Sequence, residues 1–265
     1  MTLTPDFLFR QLLSAAAAVF CGVFALVTMQ ADALAQTPPG PDSITLRTTP
    51  PQFKSGVLIT GVVGGRIMVR EGTSDAGYDI SQVQEVLKAA PAEFTSGLKL
   101  VEEGKLEQAL PLIRTVADKY RGLPTTWARD SAAMLGNICI TLGKLTEAEM
   151  AIREFKSAYA ATASAAANVA EARLAAGRSQ FDKAKGIAEP IASGALQKKN
   201  VSRTDSQTYG QAFLVLGQCA ENENKLPEAM EHYCRAVAIF YQEPAIVADA
   251  QKRIDELRKK GVTTP

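Results

Sequence analysis

A pair of small residues, always twelve positions apart, occurs four times along this chain. Small residues at facing positions allow two antiparallel helices to approach to about 8–10 Å. Because a single helix pair cannot bury its apolar face, such pairs must stack into an array. The spacing therefore predicts a mainly α-helical solenoid of about four helix pairs. The eight residues predicted to pack the repeats are Gly97 and Ala109, Gly136 and Ala148, Ala172 and Ala184, and Gly217 and Ala229.

Two further positions recur in register with these pairs. Seven residues after the first small residue comes a turn position, where Gly and Asn tolerate the left-handed backbone that a tight helix–helix turn requires. The four turn residues are Gly104, Gly143, Ser179 and Asn224. Four residues after the second small residue comes an apolar residue, which is large in three units and only an alanine in the third: Ile113, Ile152, Ala188 and Tyr233.

The best-formed unit carries Leu135-Gly136-x-x-Cys139 followed by Ala148-x-x-x-Ile152, and the fourth carries Leu216-Gly217 followed by Ala229-x-x-x-Tyr233. These residues resemble the tetratricopeptide repeat (TPR), and the resemblance covers residues 90–241. Trp127 lies five residues earlier than the family pattern places a Trp, and the steps of 39, 36 and 45 residues exceed the family's 34. The resemblance implies a right-handed TPR-like α-solenoid, and a final helix at residues 244–260 has the charged outer side of a capping helix.

In this family the first helices of successive pairs line a concave groove that binds a protein or peptide. Carried over by position, the predicted groove residues are Phe94, Leu98, Asp130, Asn137, Thr141, Arg173, Leu214, Gln218 and Asn222. Asn137 falls where chaperone-binding members place an Asn that holds a peptide carboxylate. The lysines that accompany it in those members are missing here, so that specificity is not transferred.

The N-terminal part of the chain is typical of an exported protein. Residues 12–29 carry no charge, and Ala33-Leu34-Ala35 is a small-x-small cleavage site. The pattern predicts a signal peptide at residues 1–35, cleaved near Ala35, and export to a bacterial periplasm; an uncleaved inner-membrane anchor is the alternative. The Pro-rich residues 36–42 are predicted to be a linker.

Residues 43–80 show β patterning. Alternating and β-branched runs flank Gly64-Gly65, which predicts a hairpin turn. The segment is small for independent folding. It loosely resembles SH3- or Sm-like barrels and could cap the repeats or bind a peptide. From Ser81 onward Val83, Val86 and Leu87 fit one face of a helix, so residues 81–265 are assigned to the helical repeat domain.

The residue inventory argues against most catalytic chemistry. With 29 basic and 28 acidic residues there is no nucleic-acid signature, and the single histidine, His232, cannot form a His-based triad or a multi-histidine metal site. We interpret it as a solvated surface residue. Cys139 fits a core position, whereas Cys219 and Cys234 could form a disulfide in an exported protein, although helical phase does not place them face to face.

The sequence predicts an exported, non-enzymatic TPR protein that binds a protein or peptide partner through its groove in the cell envelope. No catalytic residue, cofactor or metal is assigned. Membrane contact is expected only through an uncleaved leader or a membrane-protein partner. The alternative is a structural subunit of an envelope complex, Tol-Pal-like or engaged in outer-membrane assembly.

Overall fold

The computed structural model describes residues 42–160, 164–198 and 203–263. These residues belong to one compact unit. The predicted leader at 1–35 and nearly all of the predicted linker lie outside the described residues, so the prediction of export is not addressed by the fold.

A five-stranded antiparallel sheet comes first. Its strands are β1 (Asp42–Leu46), β2 (Gln52–Val63), β3 (Arg66–Glu71), β4 (Ser74–Asp79) and β5 (Val83–Leu87). They are ordered β4-β3-β2-β1-β5, and the long β2 pairs with β1 through its first half and with β3 through its second half. The predicted hairpin at Gly64-Gly65 is confirmed between β2 and β3. A 3-10 turn at Ile80–Gln82 precedes β5.

The helical interpretation of Val83, Val86 and Leu87 is wrong, because these residues form β5. The pairing of β5 with β1 shifts register, so that Leu46 lies opposite Val83 while Ile44 lies opposite Val86. This β-bulge places two inward-facing residues three positions apart, which in the sequence imitates the period of a helix. Leu87 is exposed.

The helices of the described residues begin at Ala92 and form four pairs followed by one more helix. They are α1 (Ala92–Glu102), α2 (Leu106–Lys119), α3 (Thr126–Thr141), α4 (Leu145–Ala158), α5 (Ser164–Gly177), α6 (Phe181–Gln197), α7 (Arg203–Asn222), α8 (Leu226–Ile239) and α9 (Pro244–Lys259). Each helix packs on the next, and α3, α5 and α7 also contact one another in order. The helical part is thus a TPR-like α-solenoid.

Each helix pair turns at a residue with left-handed backbone, as predicted. The φ angles are +73° at Gly104, +71° at Gly143, +59° at Ser179 and +59° at Asn224. The last helix, α9, packs on α7 and α8. It buries the predicted face of Ile246, Ala250, Ile254 and Leu257.

The small residues stand where the two helices of a pair are closest. A Cβ built on Gly136 would lie 3.1 Å from Cγ1 of Ile152, and one on Gly217 would lie 2.3 Å from Cε1 of Tyr233. In the third unit both members of this contact are alanines, Ala172 and Ala188, and both are fully buried. The glycine and the large residue are therefore exchanged together, which keeps the space between the helices filled.

Helix α5 is buried on two sides and joins two parts of the core. Ala167, Ala170 and Leu174 belong to the core shared with the sheet and the first two helix pairs. Val169 and Ala172 belong to the core of the following repeats. This double burial explains why α5 is rich in alanine and lacks a clear apolar stripe.

The segment between β5 and α1 attaches the sheet to the helices. The ammonium of Lys88 donates to the carboxylate of Asp42 at 2.8 Å, and both side chains are buried. The indole of Trp127 on α3 donates to the Lys88 carbonyl at 3.0 Å. On the other side of the sheet, a Cβ at Gly61 would lie 2.9 Å from the carbonyl oxygen of Lys119 in α2. The sheet thus packs directly on the first helix pair.

Candidate functional site

The predicted groove residues lie on the first helices of the four pairs, and we call the side formed by α1, α3, α5 and α7 the groove face. Phe94 and Leu98 are on α1, Asp130, Asn137 and Thr141 on α3, Arg173 on α5, and Leu214, Gln218 and Asn222 on α7. Helices α3, α5 and α7 contact one another directly. Polar side chains on them can therefore meet across the boundaries between repeats.

Three of the predicted residues form one hydrogen-bonded cluster. Arg173 donates through Nη1 to Oδ1 of Asn137 at 2.7 Å and through Nη2 to Oγ1 of Thr141 at 3.3 Å. Asn137 and Thr141 are one helical turn apart on α3, and Thr141 in turn donates to the Asn137 carbonyl at 3.0 Å. The cluster holds the guanidinium in a defined position.

The charge of Arg173 is not neutralised by a paired carboxylate among the described residues. Its two hydrogen-bond acceptors are neutral oxygens. Burial lowers the pKa of Arg173, and the more distant charge of Asp249 on α9 acts in the opposite direction. A partly desolvated guanidinium with spare donors interacts favourably with a carboxylate or another oxyanion.

The other polar residues of the groove face are less closely engaged. Asp130 is partly buried, and burial raises its pKa above the usual range while Arg129, at 3.5 Å, partly opposes this shift. Gln218 is partly buried and Asn222 is exposed on α7. Asp249 on the capping helix α9 also acts electrostatically on Arg173, and the predicted groove residues, all from first helices, do not include it.

Two of the three apolar residues predicted to line the groove are core residues instead. Phe94 is 8% exposed because the ring of Trp127 packs against it, with centroids 6.4 Å apart. Leu214 is 7% exposed because α7 is packed among α5, α6, α8 and α9. Leu98 is only partly buried and is the one of the three that a partner could reach.

The eight repeat-packing residues are all buried. The five alanines have no exposed surface, and the three glycines are buried as well. None of these residues is therefore accessible to a partner.

The cysteines and the histidine contribute no metal site in the part of the chain that is described. Cys139 is fully buried, as predicted, and Cys219 and Cys234 are free thiols. Burial raises the pKa of Cys219 to about 11. His232 is not a solvated surface residue as interpreted from sequence, because it packs against Phe213 with ring centroids 6.2 Å apart.

Within residues 42–160, 164–198 and 203–263, no three His, Cys, Asp or Glu side chains are grouped to hold a metal ion. The helices in the same ranges are all too short or too polar to cross a membrane.

Comparison with known proteins gives distant structural similarity only. No protein-family model matches the chain, and no curated protein matches it. PilF of Pseudomonas aeruginosa is 14% identical, with a TM-score of 0.41 over 66% of this chain and 77% of its own. A tetratricopeptide repeat protein from Parabacteroides merdae is 13% identical, with a TM-score of 0.36 over 60% of this chain and 68% of its own. A chain of MamA from Desulfovibrio magneticus that begins at residue 41 is 13% identical, with a TM-score of 0.39 over 66% of this chain and 100% of its own. At these values the likeness says nothing about what this chain binds.

Proposed function

We propose that this chain is an exported, non-enzymatic scaffold of the bacterial cell envelope that binds a protein or peptide partner on its groove face. The TPR-like solenoid supports a role in protein–protein interaction. The single observation that carries the proposal is the cluster of Arg173, Asn137 and Thr141, which presents a positioned cation on the side where first helices of neighbouring pairs meet.

The cluster favours a partner that offers a carboxylate. Arg173 is held by neutral acceptors and is partly desolvated, so an incoming acidic side chain or C-terminal carboxylate gains a charge-assisted hydrogen bond. The amide of Asn137 accepts from Arg173 through its oxygen and leaves its NH₂ group as a second donor. The partner segment then lies along α3 and α5, with Leu98 at the apolar end of the same face.

The test is selection of peptides from a random library displayed with free C-termini, followed by fluorescence-anisotropy titration of the selected sequences. We expect selected peptides to be acidic and Arg173→Gln to weaken their binding by about tenfold or more, as for loss of a hydrogen bond to a charged group. Arg173→Lys keeps the charge but loses the planar fork, so an intermediate affinity is expected.

Arg70→Gln serves as the control, because Arg70 is an exposed cation on the sheet, paired with Asp75 at 2.9 Å. This variant loses the same charge and should bind as the wild type does. Equal affinity of the wild type and Arg173→Gln would contradict the assignment of the groove face. Export is tested separately by cell fractionation with intact-mass measurement, which should show a mature chain beginning at or near Gln36.

A further inference from the structure

A second charged site lies on the opposite side of α5, between the second and third helix pairs. It is an open cavity of about 210 Å³ lined by α4, α5 and the beginning of α6. Its floor is apolar, and its walls carry four cations and two carboxylates. The cations belong to Arg153, Lys156, Arg178 and Lys183, the carboxylates to Glu149 and Glu171, and the floor to Ile152 and Leu174.

Each carboxylate in the cavity is shared by two cations. Glu149 lies 2.7 Å from Arg178 and 3.9 Å from Arg153. Glu171 pairs in the same way with Lys156 and, at 3.1 Å, with Lys183. The four cations and two carboxylates leave a net charge of +2 around the cavity.

The two carboxyl groups are held in their charged form by these contacts. The hydrogen bond from Arg178 lowers the pKa of Glu149, and the hydrogen bond from Lys156 lowers that of Glu171. The excess of two positive charges is therefore present at neutral pH.

At three of the six charged positions, those of Lys156, Glu171 and Lys183, neither neighbouring repeat carries the same charge, so packing of the solenoid does not require it; Arg153, in contrast, corresponds to a second arginine, Arg114. The positions are compared by their distance from the small residues of each unit. Lys156 corresponds to Ala117 in the preceding unit and Ala192 in the following one. Glu171 corresponds to Leu135 and Leu216. Lys183 corresponds to Glu147 and Glu228.

From this geometry we infer that the cavity between the second and third helix pairs binds a phosphate group. Two arginines and two lysines surround a space large enough for one compact oxyanion, and a phosphate monoester carries a charge of about −1.5 to −2 at neutral pH. Arginine and lysine side chains are the usual protein donors to phosphate oxygens. The phosphate can belong to inorganic phosphate or to a phosphate monoester.

The cavity is distinct from the groove face. Arg173 projects from α5 toward α3, whereas Glu171, two residues earlier on α5, and Arg178, five residues later in the turn that follows α5, pair with residues of α4. These offsets place them on the opposite side of α5. The two sites can therefore be disabled separately.

The experiment is titration of the purified protein with inorganic phosphate, and in parallel with glycerol 3-phosphate, at about pH 8, where the phosphate carries two charges. Chloride is added to keep the ionic strength constant. Binding is followed by backbone amide chemical shifts. We expect saturable shifts in α4, α5 and α6. Saturation by inorganic phosphate alone identifies free phosphate as the ligand, and saturation by both identifies phosphate monoesters as well.

The test variant is Arg153→Gln with Lys183→Gln. These side chains are 73% and 55% exposed, and Glu149 and Glu171 each keep a second cation. We expect phosphate affinity to fall about tenfold or more. The matched control, Lys185→Gln with Arg235→Gln, also removes two cations but at the next repeat boundary, and should leave the affinity unchanged.

Glu171→Gln gives a result that misfolding cannot produce. Removing one carboxylate frees Lys156 and Lys183 for the ligand, so phosphate should bind more tightly than to the wild type. The absence of saturable binding to the wild type overturns the inference. Equal weakening in the test and control variants also overturns it, because this outcome shows only nonspecific attraction of anions.

Discussion

Gly217→Ala would place a methyl group against the ring of Tyr233, which is fully buried between the helices of the fourth pair. The new Cβ would lie 2.3 Å from Cε1, 2.6 Å from Cζ and 2.8 Å from Cδ1 of the ring. All three distances are far below van der Waals contact, so the ring has to move. The Tyr233 hydroxyl donates to Oε1 of Glu221 at 2.5 Å, and a displaced ring would also weaken this bond.

The expected magnitude follows from three contributions. Overpacking a core costs about 1–3 kcal/mol. A buried polar group that loses its partner costs about 1–3 kcal/mol. Replacing Gly by Ala inside a helix contributes about 1 kcal/mol in the stabilising direction. We therefore expect Gly217→Ala to lower the free energy of unfolding by about 3 kcal/mol.

The same substitution elsewhere in the chain separates the steric effect from helix propensity. A Cβ on Gly186 in α6 would meet nothing within 4 Å. Gly186→Ala should therefore raise the free energy of unfolding by about 0.5–1 kcal/mol. At Gly136 the methyl group would lie 3.1 Å from Cγ1 of Ile152, a contact that a shift of a few tenths of an ångström relieves, so cost and gain should nearly cancel.

Urea unfolding followed by circular dichroism at fixed protein concentration measures the series. The expected order of stability is Gly186→Ala above wild type, Gly136→Ala close to wild type, and Gly217→Ala well below. A Gly217→Ala protein as stable as the wild type would refute the conclusion that a small residue on the first helix of a pair is needed to make room for the large residue on the second.

Three further predictions concern buried ionisable groups. Asp42→Ala leaves the buried ammonium of Lys88 without its partner and should cost about 3–5 kcal/mol in urea unfolding, whereas Asp75→Ala breaks only an exposed pair and should cost less than about 1 kcal/mol. Burial raises the pKa of Tyr159 to about 12. As the pH rises, the unfolded chain therefore loses the phenol proton before the folded chain does, so the free energy of unfolding should fall between pH 10 and pH 12. The Tyr159→Phe variant should show a smaller fall. Burial lowers the pKa of His232 below the ordinary value of 6.5. Protonation therefore favours the unfolded chain, so the free energy of unfolding should fall as the pH is lowered through and below 6.5. A parallel series with His232→Gln should lack this component, and an unchanged pH dependence would show that His232 is not desolvated.

The arrangement of the helices could be predicted because its determinants are local. The turn residues Gly104 and Gly143 and the packing pair of Gly136 and Ala148 reappear at fixed spacing, and a helix pair needs both features within a short stretch of chain. The buried face of the capping helix α9 follows in the same way from the helical period.

The site could be predicted only in part. The family resemblance placed Asn137, Thr141 and Arg173 on one face, but the hydrogen bonds between them join residues 32 and 36 positions apart. Phe94 and Leu214 are apolar and were predicted to line the groove, but both are buried because neighbouring helices cover them. Whether an apolar side chain lines a groove or fills a core depends on elements distant in sequence.

By itself, the sequence determined the helix pairs, their turns and the small residues through which they pack, since these depend on contacts between residues only 12 to 16 positions apart. Only the tertiary structure decided that Val83–Leu87 is a strand, because its partner β1 lies about forty residues earlier and the bulge between them imitates a helical period. Tertiary structure also decided which charges meet. Arg173 reaches Asn137, and four cations surround Glu149 and Glu171, because stacking of the repeats brings helices of different units together. The sequence of a single repeat does not contain this information.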